Sequence, residues 1–147
     1  MITVTADIDI DRPLPEVFAF LEDVENNPKW LRGMKSCTWT SEPPVGVGST
    51  YDQRAVFLGK EIVSSFVVTE HEPRKRVTIK TTKSSFPLTV TRTTEAVASG
   101  RTHVHETVEG DPRGFYRMAQ PLLRLVVQRN VRRDYGHLKR LLETGQV

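Results

Sequence analysis

A chain of 147 residues, 37% hydrophobic and 27% charged, can bury one real core and is too short for two comfortable ones. That balance excludes a disordered chain, and no apolar run approaches the roughly 20 residues of a membrane-spanning helix. The single cysteine, Cys37, excludes an internal disulfide and any multi-cysteine metal site, while a formal net charge of +3 favours no partner class.

Residues 2–10 alternate, with Ile2, Val4, Ala6, Ile8 and Ile10 on one face and Thr3, Thr5, Asp7 and Asp9 on the other. This is the pattern of a half-buried strand. It begins at once, without the basic and apolar regions of a secretory signal, so the expected compartment is the cytoplasm. Pro13 and Pro15 suit the first turn of a helix, where a missing N–H costs nothing. Glu16 places negative charge near that helix's positive end. Val17, Phe20, Leu21 and Val24 supply its apolar stripe. A second short helix is expected from Asn26-Asn27-Pro28, with Asn27 as cap, to about Gly33.

From Met34 to about Gly110 the chain reads as strands separated by turns at Gly46-Val47-Gly48, Gly59-Lys60, Glu72-Pro73-Arg74 and Ala98-Ser99-Gly100. The intervening runs of Val, Thr, Ile, Phe and Tyr suit a pleated sheet, and such short connections favour antiparallel neighbours. No linker or repeat interrupts them, so a single soluble α+β domain is expected over residues 1–147. Residues Phe115 to about Leu142 have helical spacing, with Leu123, Val127, Val131, Leu138 and Leu142 along one side. Leu122, Leu125 and Val126 widen this apolar face in its first half. Pro121 must kink or restart the helix. From Pro121 to Leu142 it would run about 33 Å, enough to cross a small sheet.

The last hairpin fixes a register. A three-residue loop Ala98-Ser99-Gly100 fits a type I turn with a bulge, pairing Val97 with Arg101, Ala96 with Thr102, Thr94 with Val104, Arg92 with Glu106, and Val90 with Val108. The apolar members then share one face, and a one-residue slip would invert it. Arg92 and Glu106 fall on that inward face, opposite one another. They are either a cross-strand ion pair at the wetter end of the sheet or a polar anchor within an apolar pocket. As an anchor, the guanidinium fork of Arg92 would receive a carboxylate, phenolate or carbonyl oxygen. Glu106 would orient Arg92, or act as a base if burial raised its pKa. These two are the candidate catalytic residues.

The order of elements, together with Asp11-Arg12-Pro13-Leu14-Pro15-Glu16-Val17-Phe18, Asn27-Pro28-Lys29-Trp30, Val68-Thr69-Glu70-His71-Glu72-Pro73 and Pro112-Arg113-Gly114-Phe115, resembles the START-like (SRPBCC) superfamily over essentially the whole chain. Within that superfamily it is similar to the polyketide cyclase/dehydrase-like group. The resemblance implies a helix-grip fold: a curved seven-stranded antiparallel sheet around the C-terminal helix, with two short helices after the first strand and a cavity between sheet and helix. Alternation places Ile62, Ser64, Phe66 and Val68, then Val77 and Ile79, then Leu88 and Val90 on the inward face, lining that cavity with Arg92 and Glu106. Plain core packing is the alternative for each apolar member.

Other chemistry has little support. His103 and His105 share a face with Thr93, Glu95 and Glu109 that should point to solvent, without a third ligand, so no metal is expected. Cys37 reads as a buried, inert thiol. No G-x-S-x-G elbow, nucleotide loop or nucleic-acid-binding pattern appears, so no cofactor and no nucleic-acid partner is expected. Between Arg113 and Arg140 stand Arg113, Arg117, Arg124, Arg129, Arg132, Arg133, Lys139 and Arg140 against Asp134 alone. This is a solvated helix flank or a surface for an acidic partner or anionic membrane.

Three functions fit the sequence. One is binding or transport of a small hydrophobic ligand such as a lipid, isoprenoid or aromatic polyketide. The second is a polyketide cyclase or dehydratase working in the same cavity by positioning plus one polar group. The third is a regulatory protein- or membrane-binding module using the basic helix. No integral membrane association is expected, and pairing as a homodimer stays open.

Overall fold

Alternation and short turns do lay the strands side by side. In the computed structural model, which describes residues 1–118 and 120–145, β1 (Ile2–Ile10) is followed by α1 (Leu14–Glu22), a single 3-10 turn at Val24–Asn26 and α2 (Asn27–Trp30). Then come β2 (Met34–Trp39), β3 (Thr50–Phe57), β4 (Lys60–Glu72), β5 (Arg76–Lys83), β6 (Leu88–Ala98) and β7 (Arg101–Gly110). The chain ends on α3 (Phe115–Met118) and α4 (Gln120–Thr144). The seven strands form one sheet in the order β1-β7-β6-β5-β4-β3-β2, each neighbour antiparallel. Register shifts in β4 against β5, between Ser65 and Phe66 and between Val68 and Glu70, curl the sheet. The curled face grips α4, as the helix-grip expectation requires. Among the described residues no helix is long and apolar enough to cross a membrane.

Pro15 and Glu16 sit in the first turn of α1, and Val17, Phe20 and Leu21 are buried, with Val24 just beyond its end. The cap of α2 differs from expectation. Asn26 takes that position without a side-chain capping bond, its amide donating instead to the Phe20 carbonyl, and Asn27 is the first helical residue, buried against Cys37. The 3-10 turn consumes the residues that would have preceded a cap at Asn27, and α2 ends at Trp30, short of Gly33. Gly33 then runs so close to β3 that an added Cβ would lie 2.8 Å from the Val56 carbonyl oxygen.

The β6–β7 hairpin keeps the expected pairs Arg92–Glu106, Thr94–Val104, Ala96–Thr102 and Val90–Val108. Its tip differs by one residue. Ala98, not Val97, lies opposite Arg101, and the register shift falls between Ala96 and Ala98. The connection is therefore the two residues Ser99 and Gly100, with Gly100 at φ 72°, and Val97 is the bulged residue. Shortening the loop by one while bulging the strand by one leaves the inner pairs unchanged.

Pro121 stands in the first turn of α4. Leu123, Leu138 and Leu142 of that helix are buried, while Val127 and Val131 are half-buried and pack against the core. Leu122 and Leu125 do not widen the apolar face. They are 68% and 65% exposed, because the buried stripe of the helix passes through Leu123 and the neighbouring turn positions point away from the sheet.

At the β1–β7 edge the outward histidines meet acids. His103 bonds Asp9 at 2.6 Å and Asp7 at 2.9 Å, and His105 bonds Asp7 at 2.7 Å, with Glu95 across the ladder from His103. These hydrogen bonds to Asp9 and Asp7 raise the His103 pKa above its usual 6.5 against a smaller opposing effect of burial. Burial would raise the Asp7 carboxyl, but the bonds from His105 and His103 outweigh it and hold the group below 3.8. The His103 contribution is complete below the unfolded pKa and is lost as pH rises through the folded one. The Asp7 contribution is present above its unfolded pKa and lost as pH falls through the folded one. The edge is thus firmest between those limits. Melting temperature should fall by about a degree or two between roughly pH 6 and pH 8.5, the groups being partly exposed. His103→Gln should flatten that slope in thermal melts, and an unchanged slope would remove the cluster as its source.

Candidate functional site

Between the curled sheet and α4 lies a cavity of about 580 Å³, within the roughly 300–1,000 Å³ of small-molecule sites. Its walls follow from strand alternation. Ile62, Ser64 and Phe66 project from β4, Ile79 from β5, and Leu88 and Val90 from β6. Val126, Val127, Asn130 and Val131 of α4 close the opposite side. Phe57 and Phe86 close one end, backed by Tyr116, with the three ring centroids 5.3 to 5.9 Å apart, and the Tyr116 hydroxyl donates to the Phe57 carbonyl at 3.0 Å. An added Cβ at Gly110 would lie 2.8 Å from the Phe86 ring, so that glycine makes room for the aromatic end. The apolar wall is continuous there. Ser64 meets it without an unpaired hydroxyl, since its Oγ lies 2.7 Å from that of Ser84.

The polar end is built from three elements. Arg92 of β6 and Glu106 of β7 both line the cavity, at 7% and 3% exposure, and Tyr135 of α4 lies over them at 2%. Arg92 Nε donates to Glu106 Oε1 at 2.7 Å and to the Tyr135 hydroxyl at 3.2 Å, and that hydroxyl donates to the same Oε1 at 2.9 Å. The Arg92 Cζ sits 5.1 Å from the centroid of Trp30, whose ring meets Tyr135 edge-on at 5.0 Å. Burial works against the Arg92 charge, but Tyr135 and Glu106 outweigh it and hold its pKa above the ordinary guanidinium value. Burial, and then Glu106, push the Tyr135 phenol well above its usual range, so it stays a donor. Among the described residues the terminal amino groups of Arg92 have no hydrogen-bond partner. A buried cation with unfilled donors on a cavity wall suits a ligand oxygen.

A second carboxyl borders the same space. Asp134 of α4 is 8% exposed and lines the cavity, accepting from the Arg32 amide at 3.4 Å and from Arg133 at 3.3 Å. Burial raises its pKa despite those partners. Asn27 of α2 lines the cavity, and among the described residues its buried Oδ1 has no hydrogen-bond partner. Cys37 is buried, 3.9 Å from the Asn27 amide, and burial pushes its thiol up to about 11, so it is a protonated core thiol rather than a nucleophile.

The structure therefore brings Ile62, Ser64, Phe66, Ile79, Leu88, Val90, Arg92 and Glu106 to one cavity wall. Val68 and Val77 face the same way and belong to the same apolar cluster as Ile62, Phe66, Ile79 and Val90, but neither lines the cavity. Sequence reasoning missed Tyr135, Trp30, Asn27 and Asp134. The one available signal was Asp134 itself, a lone acid in a basic stretch, at helical spacing from the buried Leu138. Among the described residues no group of three or more His, Cys, Asp or Glu is arranged to hold a metal ion.

Comparison with known proteins agrees with this architecture. The family model described as polyketide cyclase / dehydrase and lipid transport matches residues 1–143. The fold is similar to that of TTHA0849 from Thermus thermophilus, at a TM-score of 0.83 and 18% identity over 99% of both chains. It is similar to the Zhui aromatase/cyclase from Streptomyces sp. R1128, at 0.77 and 14% identity over 93% of this chain and 90% of that one. A START superfamily protein from Mycobacterium smegmatis matches at 0.75 and 14% identity, over 97% and 94%. No curated protein sequence matches significantly.

Proposed function

Since the chain belongs to the polyketide cyclase/dehydrase and lipid-transport family, we propose that it binds a small hydrophobic molecule bearing an oxygen function inside this cavity. The apolar body of the ligand lies between the β4–β6 wall and Val127 and Val131 of α4, and its oxygen meets the terminal amino groups of Arg92. The observation that carries this reading is the unfilled donor set of Arg92, fixed by Glu106, Tyr135 and Trp30 at one end of a cavity whose β4–β6 wall is mostly apolar. Glu106 and Tyr135 spend their bonds on orienting that cation, which makes them positioning residues.

Titration with 2-naphthoate and with naphthalene tests the proposal. Both should bind saturably near one molecule per chain, the carboxylate more tightly. The paired change Arg92→Met with Glu106→Leu should abolish that preference while leaving naphthalene binding in place. Absence of saturable binding of either probe, or an unchanged preference in the paired variant, would overturn the assignment.

A second reading, catalysis of a cyclisation or dehydration, is favoured by Asp134. A buried carboxyl with a raised pKa beside the same cavity is a proton donor or acceptor placed within reach of a bound chain. It would work with Arg92, which would hold the carbonyl oxygen as charge develops on it.

A further inference from the structure

We infer that the outer face of α4 beside the cavity mouth docks on an anionic lipid bilayer. Three observations carry this. First, the mouth is rimmed by exposed apolar side chains. Val56 and Leu58 of the β3–β4 hairpin line the cavity at 36% and 43% exposure, and Leu58 is held there at φ 50°, in a region few residues other than glycine, Asn or Asp adopt. On the other side Val126 lines the cavity, and Leu122 and Leu125, one turn and one residue before it, stand 68% and 65% exposed. Met118 at the end of α3 is 87% exposed.

Second, the apolar rim continues into unpaired positive charge. Leu122, Leu125, Arg129 and Arg132 are spaced three, four and three residues apart, one stripe of a helix. Among the described residues, the guanidinium groups of Arg117, Arg124, Arg129 and Arg132 meet no carboxylate. Several other surface cations do meet carboxylates, as in Arg54–Glu61, Arg76–Glu70, Arg101–Asp11 and Lys139–Glu143. Third, the single acid between Arg113 and Arg140, Asp134, is turned inward and buried, so it does not neutralise that stripe.

Leucines that enter the acyl boundary beside arginines that meet lipid phosphates are the two components of interfacial helix binding. An acidic protein would neutralise the arginines, but it gives no reason for leucines so exposed at the mouth. Docking in this orientation sets the cavity opening against the bilayer, so an apolar ligand passes between them without crossing water. The inference concerns the surface and not the ligand, and its test uses the protein without any ligand.

Co-sedimentation with vesicles of phosphatidylglycerol and phosphatidylcholine, against vesicles of phosphatidylcholine alone, provides that test. The protein should partition to the anionic vesicles, and added salt should release it. Arg129→Gln with Arg132→Gln should weaken partitioning roughly tenfold or more. Leu122→Ser with Leu125→Ser, at positions too exposed to disturb folding, should weaken it to a similar degree, roughly tenfold. Lys75→Gln with Arg101→Gln, a charge-matched change near the turns at the opposite end of the sheet, should leave partitioning intact. Equal binding to both vesicle types, no binding to either, or equal losses in the control and the Arg129/Arg132 variant would overturn the docking surface.

Discussion

Arg92→Met should lower stability by about 3–5 kcal/mol, a fall of roughly 6–20 °C in melting temperature for a chain of this size. The loss arises less from the ion pair itself than from what remains behind. Glu106 is 3% exposed, and among the described residues its carboxylate receives hydrogen bonds only from Arg92 and Tyr135, so the variant buries a carboxylate without a counter-charge. The penalty should shrink at acid pH, where the orphaned carboxyl takes up a proton. Adding Glu106→Leu removes the charge but strands the Tyr135 hydroxyl, whose partners are those same two residues. The double variant should therefore recover part of the loss, and a further Tyr135→Phe should recover most of the rest, because no polar group is then left unpaired. Denaturant titrations of the three variants at neutral and acid pH give the comparison. A single variant as stable as wild type would show that water already reaches the pair.

Leu138→Ala should cost about 2–5 kcal/mol, and Val127→Ala clearly less, although both lie on the same side of α4. Leu138 is fully buried among Ile10, Val17, Trp30, Val104 and Tyr135 in a closed apolar cluster. Its truncation opens a void that rigid strands on one side and α1 and α2 on the other cannot fill. Val127 already borders the cavity, so shortening it removes fewer contacts and adds its volume to space that exists. Urea unfolding of the two variants measures the difference. A Leu138→Ala loss under about 1 kcal/mol would place the packing of α4 elsewhere.

Local chemistry made the sheet legible. The residues around Ser99 and Gly100 fix the pairing of Arg92 with Glu106 even though the tip itself was placed one residue off, since a bulge and a shorter loop compensate. Period-two alternation likewise identified Ile62, Ser64 and Phe66 as inward. Strand alternation tells which face a side chain occupies, but not how deep a void lies beneath it. Val68 and Val77 therefore read like their neighbours while packing in the core away from the cavity. The missed residues share another reason. Trp30, Asn27, Asp134 and Tyr135 come from α2 and α4, whose positions over the sheet depend on packing between segments about a hundred residues apart. Leu122 and Leu125 show the converse error. Leucine at helical spacing suggests burial, but the sheet does not extend beneath that part of the helix's surface.

The two apolar clusters have a further consequence for α4. Its second half, through Tyr135, Leu138 and Leu142, is built into the closed cluster with β1, α1 and α2, whereas its first half rests against the cavity through half-buried Val127 and Val131. Opening free energies are set by what each segment buries, so they must be lowest across the cavity-facing turns from Val126 to Val131, between the buried Leu123 and the buried Tyr135, Leu138 and Leu142. The helix is thus held at Leu123 and again from Tyr135 onward, and compliant between them. A guest could be admitted by bending the compliant turns away from β3 and β4, at a cost far below that of global unfolding. The size limit of the cavity would then be elastic, set by how far those turns yield before Leu123 leaves its seat.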